Sequence, residues 1–152
     1  MTPRISFILA TVIGLVMTAS ALAAPLSAYR WEARPLLIFA PETNEAHLTR
    51  QSELLERANE AIDERDMVVL LVTSDKENAV ARFGPPKLKS VRAPQNEALR
   101  KAYSVAADRF TVILVGKDGG EKNRWSDVVE PQRIFDQIDS MPMRQREMRE
   151  GG

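Results

Sequence analysis

The sequence predicts an α/β sandwich, a central sheet of about four strands in mixed direction with helices on both faces. Three observations carry that prediction. The apolar runs Pro35–Ala40, Met67–Thr73 and Phe110–Val115 have the length and the β-branched or aromatic content of buried strands. Helix-like sequence separates each run from the next, so the first two strands must run parallel with a right-handed crossover. The third run is followed by Asp118-Gly119, a dipeptide that supplies the positive φ angles of a tight hairpin. Glu121–Trp125 then stands at the right distance to be the returning edge strand.

Before the domain comes a segment with its own logic. Arg4 precedes an apolar stretch from Ile5 to about Met17, and small residues end in Ala21-Leu22-Ala23. A basic start, a short apolar middle and an Ala-x-Ala site are the three parts of a secretory signal, with cleavage expected after Ala23. The stretch is shorter than the ~20 residues that cross a bilayer, so no stable membrane span is expected after cleavage. Residues 24–140 then form one domain and residues 141–152 a C-terminal tail.

The elements follow in order. Pro25–Arg34 reads as an extended leader that brings Tyr29 and Trp31 towards the domain edge. Leu36–Ala40 is the first buried strand, stopped by Pro41, and Thr43 or Asn44 can cap the next helix. Glu42 and Glu45 suit the positive end of that helix dipole. Leu48, Gln51, Leu54, Leu55, Ala58, Ala61 and Ile62 recur at three- and four-residue spacing, which predicts one helix to about Arg65. Met67–Val72 is the second strand. Ser74–Pro94 is the least regular part, since Gly84-Pro85-Pro86 fits neither helix nor central strand. A short helix from about Gln95 to Tyr103 buries Ala98, Leu99, Ala102 and Tyr103. After the hairpin, Pro131 opens a last helix with Ile134, Phe135 and Ile138 as its stripe.

Composition excludes several functions. The 152 residues are 44% hydrophobic, enough for one domain with a real core. Charges balance at 21 against 21, and the chain after the signal is near neutral, which argues against nucleic acid as a partner. The chain has no cysteine, so it has no disulfide, thiolate nucleophile or cysteine-bound zinc. One histidine with two nearby glutamates is too little for a catalytic zinc site, and neither a metal nor another cofactor is expected. No serine sits in a Gly-x-Ser-x-Gly elbow, and Gly119-Gly120 precedes a strand, where a phosphate cradle would precede a helix.

The order of elements, together with Leu37-Ile38-Phe39-Ala40-Pro41, Lys101-Ala102-Tyr103-Ser104-Val105 and Thr111–Gly119, resembles the thioredoxin and peroxiredoxin fold. A narrower resemblance rests on Arg34–Ala40, Glu64-Arg65-Asp66-Met67, Leu114–Lys122 and Met141–Arg149. These segments are similar to a family of secreted bacterial proteins known only as a domain of unknown function, with related domains in animal extracellular sushi-repeat proteins. The resemblance implies a peroxiredoxin-like fold and export, with periplasmic location, but no activity. It also shows a departure. The loop Pro41–His47 should hold the reactive cysteines, and Thr43 or Ala46 stands near their positions. Phe110 occupies the place of the thioredoxin proline. Redox catalysis through this loop is therefore excluded.

Two groups of candidate residues remain. Glu42, Thr43, Asn44, His47 and Arg109 belong to the open end of the sheet, where α/β folds usually bind ligands. A helix N-terminus with Arg109 can hold an anion, and His47 with Glu42 can act as acid and base. Capping and dipole compensation explain the same residues without a ligand. For a protein partner, the candidates are Arg124 and Trp125 on the edge strand and Met143, Arg144, Arg146 and Arg149 in the tail. Packing of the Trp125 ring on the sheet end, solvation of the edge by its cations and docking of the tail on its own domain explain the same residues without a partner. The expected role is a non-redox binding or accessory module for another envelope or secreted component. The alternative is a cysteine-independent enzyme or small-anion receptor at the first strand–helix loop.

Overall fold

The computed structural model describes residues 24–151; the expected signal, residues 1–23, lies outside them. Five strands form one sheet: β1 (Arg34–Ala40), β2 (Met67–Thr73), β3 (Val80–Phe83), β4 (Thr111–Val115) and β5 (Glu121–Trp125). Their spatial order is β3-β2-β1-β4-β5. β1 and β2 are parallel, pairing Arg34 with Met67 through Ala40 with Thr73. The other three pairings are antiparallel.

β1 is buried along its whole length because both faces are covered. Its alternate residues divide the core in two. Leu36, Ile38 and Ala40 face α1 (Ala46–Glu56), α2 (Asn59–Glu64) and α5 (Pro131–Asp139) through Leu48, Leu55, Ile62, Ile134, Phe135 and Ile138. Leu37 and Phe39 face α4 (Asn96–Tyr103), α3 (Pro86–Lys89) and the N-terminal segment through Leu99, Leu88, Tyr29 and Leu26.

Several details correct the reading of the sequence. The sheet has five strands, not about four. The additional strand is Val80–Phe83, in the part read as irregular; only Phe83 of it is buried, so no alternation marks it. The helix expected to reach Arg65 breaks at Arg57-Ala58, where Ala58 has φ −109. Leu48, Leu55 and Ile62 nevertheless join one core cluster, so the apolar stripe continues across the break and hides it. Pro86 opens the one-turn α3, where its missing N–H costs nothing at the first position. Ala102 is exposed, not buried.

Pro25–Arg34 is not extended. It makes a 3-10 turn at Ser27–Tyr29, and Tyr29 is buried while Trp31 projects outward. Gly84 is needed where it stands: at φ 118, a Cβ there would lie 2.4 Å from the carbonyl oxygen of Met67. The tail forms a sixth helix, α6 (Pro142–Glu150). Of its residues, Arg144 is buried against the domain.

Candidate functional site

The loop leaving β1 is organised by Glu45. Its carboxylate caps α1, Oε2 accepting the Leu48 N–H at 2.9 Å. The same carboxylate holds His47, with Oε1 2.6 Å from Nδ1. Thr43 and Asn44 do not cap; Thr43 turns away and donates its hydroxyl to Asp75 Oδ2 at 2.7 Å. The Thr73 and Thr43 hydroxyls hold the Asp75 carboxyl down at about 2.

His47 lies with its ring 5.3 Å from that of Phe110 and its Nε2 3.8 Å from Asp127 Oδ1. The hydrogen bond and the charge of Glu45 raise its pKa above the ordinary histidine value. Partial burial pushes Glu45 upward, yet its bonds from His47 and Leu48 leave it lower than an ordinary glutamate. Glu45, His47, Arg109, Phe110 and Ser126 line a cleft of about 290 Å³. Of the five residues expected at this loop, His47 and Arg109 come together there. Glu42, Thr43 and Asn44 are exposed outside the lining. The pair Glu45–His47 can exchange a proton at Nε2. Among the described residues no hydrogen bond joins Ser126 to the ring, so no nucleophile is attached to the base.

Behind this loop stands Arg100, which reasoning from sequence missed. Its guanidinium donates to the carbonyl oxygens of Ala40 (2.7 Å), Val72 (3.2 Å) and Ala106 (2.8 Å) and lies 5.6 Å over the Phe39 ring. Burial lowers its pKa. The side chain thus occupies the main-chain acceptors at the ends of β1 and β2, closing the end of the sheet from beneath. An arginine within a helix carries no sequence signal for that role. Among the described residues no cluster of three metal-ligating side chains occurs.

The candidates for a protein partner separate into internal and free groups. Arg124 is held by Glu121 through two bonds of 2.9 Å and by the Tyr103 carbonyl oxygen at 2.8 Å. Trp125 is half-buried, its ring on the core. Arg144 donates to the Glu64 carbonyl oxygen and carboxylate at 3.1 and 3.0 Å and to Asp139 at 3.3 Å. Beside it Glu147 accepts from the fully buried Arg34 at 3.0 Å and from Lys117 at 2.8 Å, and Lys117 also reaches Asp66 at 2.8 Å. These bonds fasten α6 across the N-terminal ends of β1 and β2. Arg146 and Arg149 remain exposed and Met143 half-buried. Met143 and Arg146, with Arg34, Lys117, Lys122 and Met141, line a cleft of about 520 Å³ at this end.

The model of a family described as "Domain of unknown function (DUF4174)" matches residues 25–147. Human sushi repeat-containing protein SRPX is 31% identical over 119 residues, which is 78% of this chain and 25% of that protein. Human SRPX2 is 24% identical over 115 residues, 76% of this chain and 24% of that one. The chain thus spans about a quarter of the length of these relatives. Among solved structures, the reduced 2-Cys peroxiredoxin of Plasmodium vivax superposes with a TM-score of 0.56 at 16% identity, covering 80% of this chain and 72% of that one. Thioredoxin peroxidase I of Plasmodium yoelii gives 0.55 at 16% identity, covering 80% and 79%. The fold is thioredoxin-like and peroxiredoxin-like, with a mixed five-stranded sheet and no cysteine in the chain.

Proposed function

We propose that this chain, which belongs to the DUF4174 family, is an exported, non-redox binding module that acts on another secreted or envelope protein. The observation that carries this reading is the state of the loop where the fold's thiol chemistry resides. In place of cysteines it holds a helix cap, Glu45, and side chains bonded to their neighbours, with no nucleophile among the described residues bonded to His47. A thioredoxin-like scaffold emptied of thiols keeps its rigid sheet and its surfaces, and those are what a binding module uses.

Two facts support the rest. In SRPX and SRPX2 the matching region is about a quarter of a longer chain named for its sushi repeats, which fits a module that works beside other domains. The N-terminal charge, apolar stretch and Ala-x-Ala site support export, and among the described residues no helix is long and apolar enough to cross a membrane. A second reading, a small-anion receptor at the loop, is favoured by the convergence of His47 and Arg109 on one cleft.

Affinity co-purification of the exported chain, run beside a His47→Ala, Arg109→Ala double variant, separates the two. A stoichiometric protein partner retained by both chains is the expected result. A partner lost from the loop variant places the contact at the loop; no partner from either chain contradicts the binding-module reading and favours the small-anion receptor.

A further inference from the structure

We propose that the end of the sheet opposite the cysteine-position loop is an interaction surface for an acidic segment of a protein partner, with Trp31 as apolar anchor and Arg30 and Arg146 as cationic contacts. The inference rests on the binding-module reading and states where on the module the partner sits.

Trp31 carries it. Its backbone lies at φ 68, in the left-handed region where a bulky L-residue is a genuine outlier. Neighbouring bonds fix that geometry. The Trp31 N–H donates to the Lys117 carbonyl oxygen at 2.6 Å, those of Glu32 and Ala33 to Tyr29 at 3.1 and 2.8 Å, and that of Arg34 to Asp66 at 2.8 Å. Glycine takes the same backbone without strain. Burial does not offset the strain, because Trp31 is 58% exposed. An exposed indole held on a strained turn is a feature of sites that meet something, and tryptophan is a preferred anchor of protein interfaces.

Charge gives the sign of what it meets. The Lys117 carbonyl joins the Trp31 turn to the cleft beside α6. Arg34 and Lys117 face Glu147 and Asp66, and Lys122 faces Asp118 at 2.8 Å, so these cations are matched by carboxylates. Glu32 is matched by Lys87 at 3.2 Å. Arg30 and Arg146 are left over. The Arg30 guanidinium lies 5.4 Å over the Trp31 ring, Arg146 lines the cleft, and neither has an ion-pair partner among the described residues. The whole chain is neutral, so this excess is local. An indole beneath one unmatched guanidinium, with a second on the adjoining cleft that Lys117 lines, fits an extended segment whose carboxylates flank an apolar side chain.

The test titrates the peptide acetyl-Glu-Leu-Glu-Glu-Leu-Glu-amide into the folded chain by calorimetry, and by fluorescence in a Trp125→Phe background that leaves Trp31 as sole reporter. Saturable binding with a shift in Trp31 emission is expected. Trp31→Gly, which removes the indole and the strain together, should keep Tm at or above that of the parent and weaken binding by about tenfold or more. Arg146→Gln should weaken it severalfold, and His47→Ala should change nothing. Absence of saturation, equal affinity in Trp31→Gly, or a fall in its Tm overturns the proposal. So does tighter binding of a heparin fragment or of phosphatidylglycerol vesicles than of the peptide. If a co-purified partner survives Trp31→Gly with Arg146→Gln, this surface is wrong while the module reading stands; if no partner exists, the reading itself fails.

Discussion

Glu45 does two jobs with one carboxylate, capping α1 and holding His47. Thr and Asn outrank Glu as caps, so residue preference alone places the helix start one or two positions early. What decides is that Thr43 has a better acceptor in Asp75, 32 positions along the chain, which only the folded loop supplies. Trp31 was equally hidden, since nothing in the residue type announces a positive φ. The His47 pair predicts a titration. Because its folded pKa is raised by Glu45, the stabilisation from the charged pair is complete below the unfolded histidine value near 6.5 and fades as pH rises through the folded value. NMR titration of the His47 ring should give a midpoint above 6.5, and Glu45→Gln should bring it back towards the ordinary value. An unchanged midpoint in that variant would remove Glu45 as the cause.

At the scale of the element, α6 shows why the tail was the hardest stretch to place. A helix with an apolar stripe declares its buried face, but Met141–Glu150 has three arginines and little stripe. It is fastened by ion pairs whose partners, Arg34, Glu64, Lys117 and Asp139, are scattered over four other segments. Arg65 adds a pair to Asp139 at 2.7 Å while lying 4.7 Å over the Phe135 ring. Burial alone would raise Glu147 and Asp139, but the cations around them leave both below ordinary carboxylate values. Carboxyls with depressed folded values stabilise above the unfolded value and lose that contribution as pH falls through the folded one. Stability should therefore fall on acidification below about 4.5 and continue falling beneath the ordinary range. Glu147→Gln leaves the buried Arg34 without its carboxylate and should cost about 3 kcal/mol in denaturant unfolding at neutral pH. It should also flatten the acid limb. A loss under about 0.5 kcal/mol would mean that α6 is held by something else.

For the molecule as a whole, the sheet and its two helical layers were legible because β1, β2 and β4 are near-continuous apolar runs and their helices carry clear stripes. The edge strand β3 was not, since it is short, mostly exposed and paired only with β2. The candidate loop was legible as a place, from the missing cysteines, while the residues that close it, Glu45 and Arg100, depend on long-range geometry. Trp125, offered by the sequence either as a contact residue or as a ring packed on the sheet end, packs on the core; Trp31, read as part of a leader, stands in solvent. The partner surface proposed above therefore lies at the N-terminal end of the strands, beside α6. Site-specific photo-crosslinking in the cell that produces the chain tests this most directly. Met143→p-benzoylphenylalanine places the probe on the cleft beside α6, and Asn44→p-benzoylphenylalanine places it on the cysteine-position loop. A discrete protein adduct from position 143 and none from position 44 is the predicted result; an adduct from position 44 alone would contradict it.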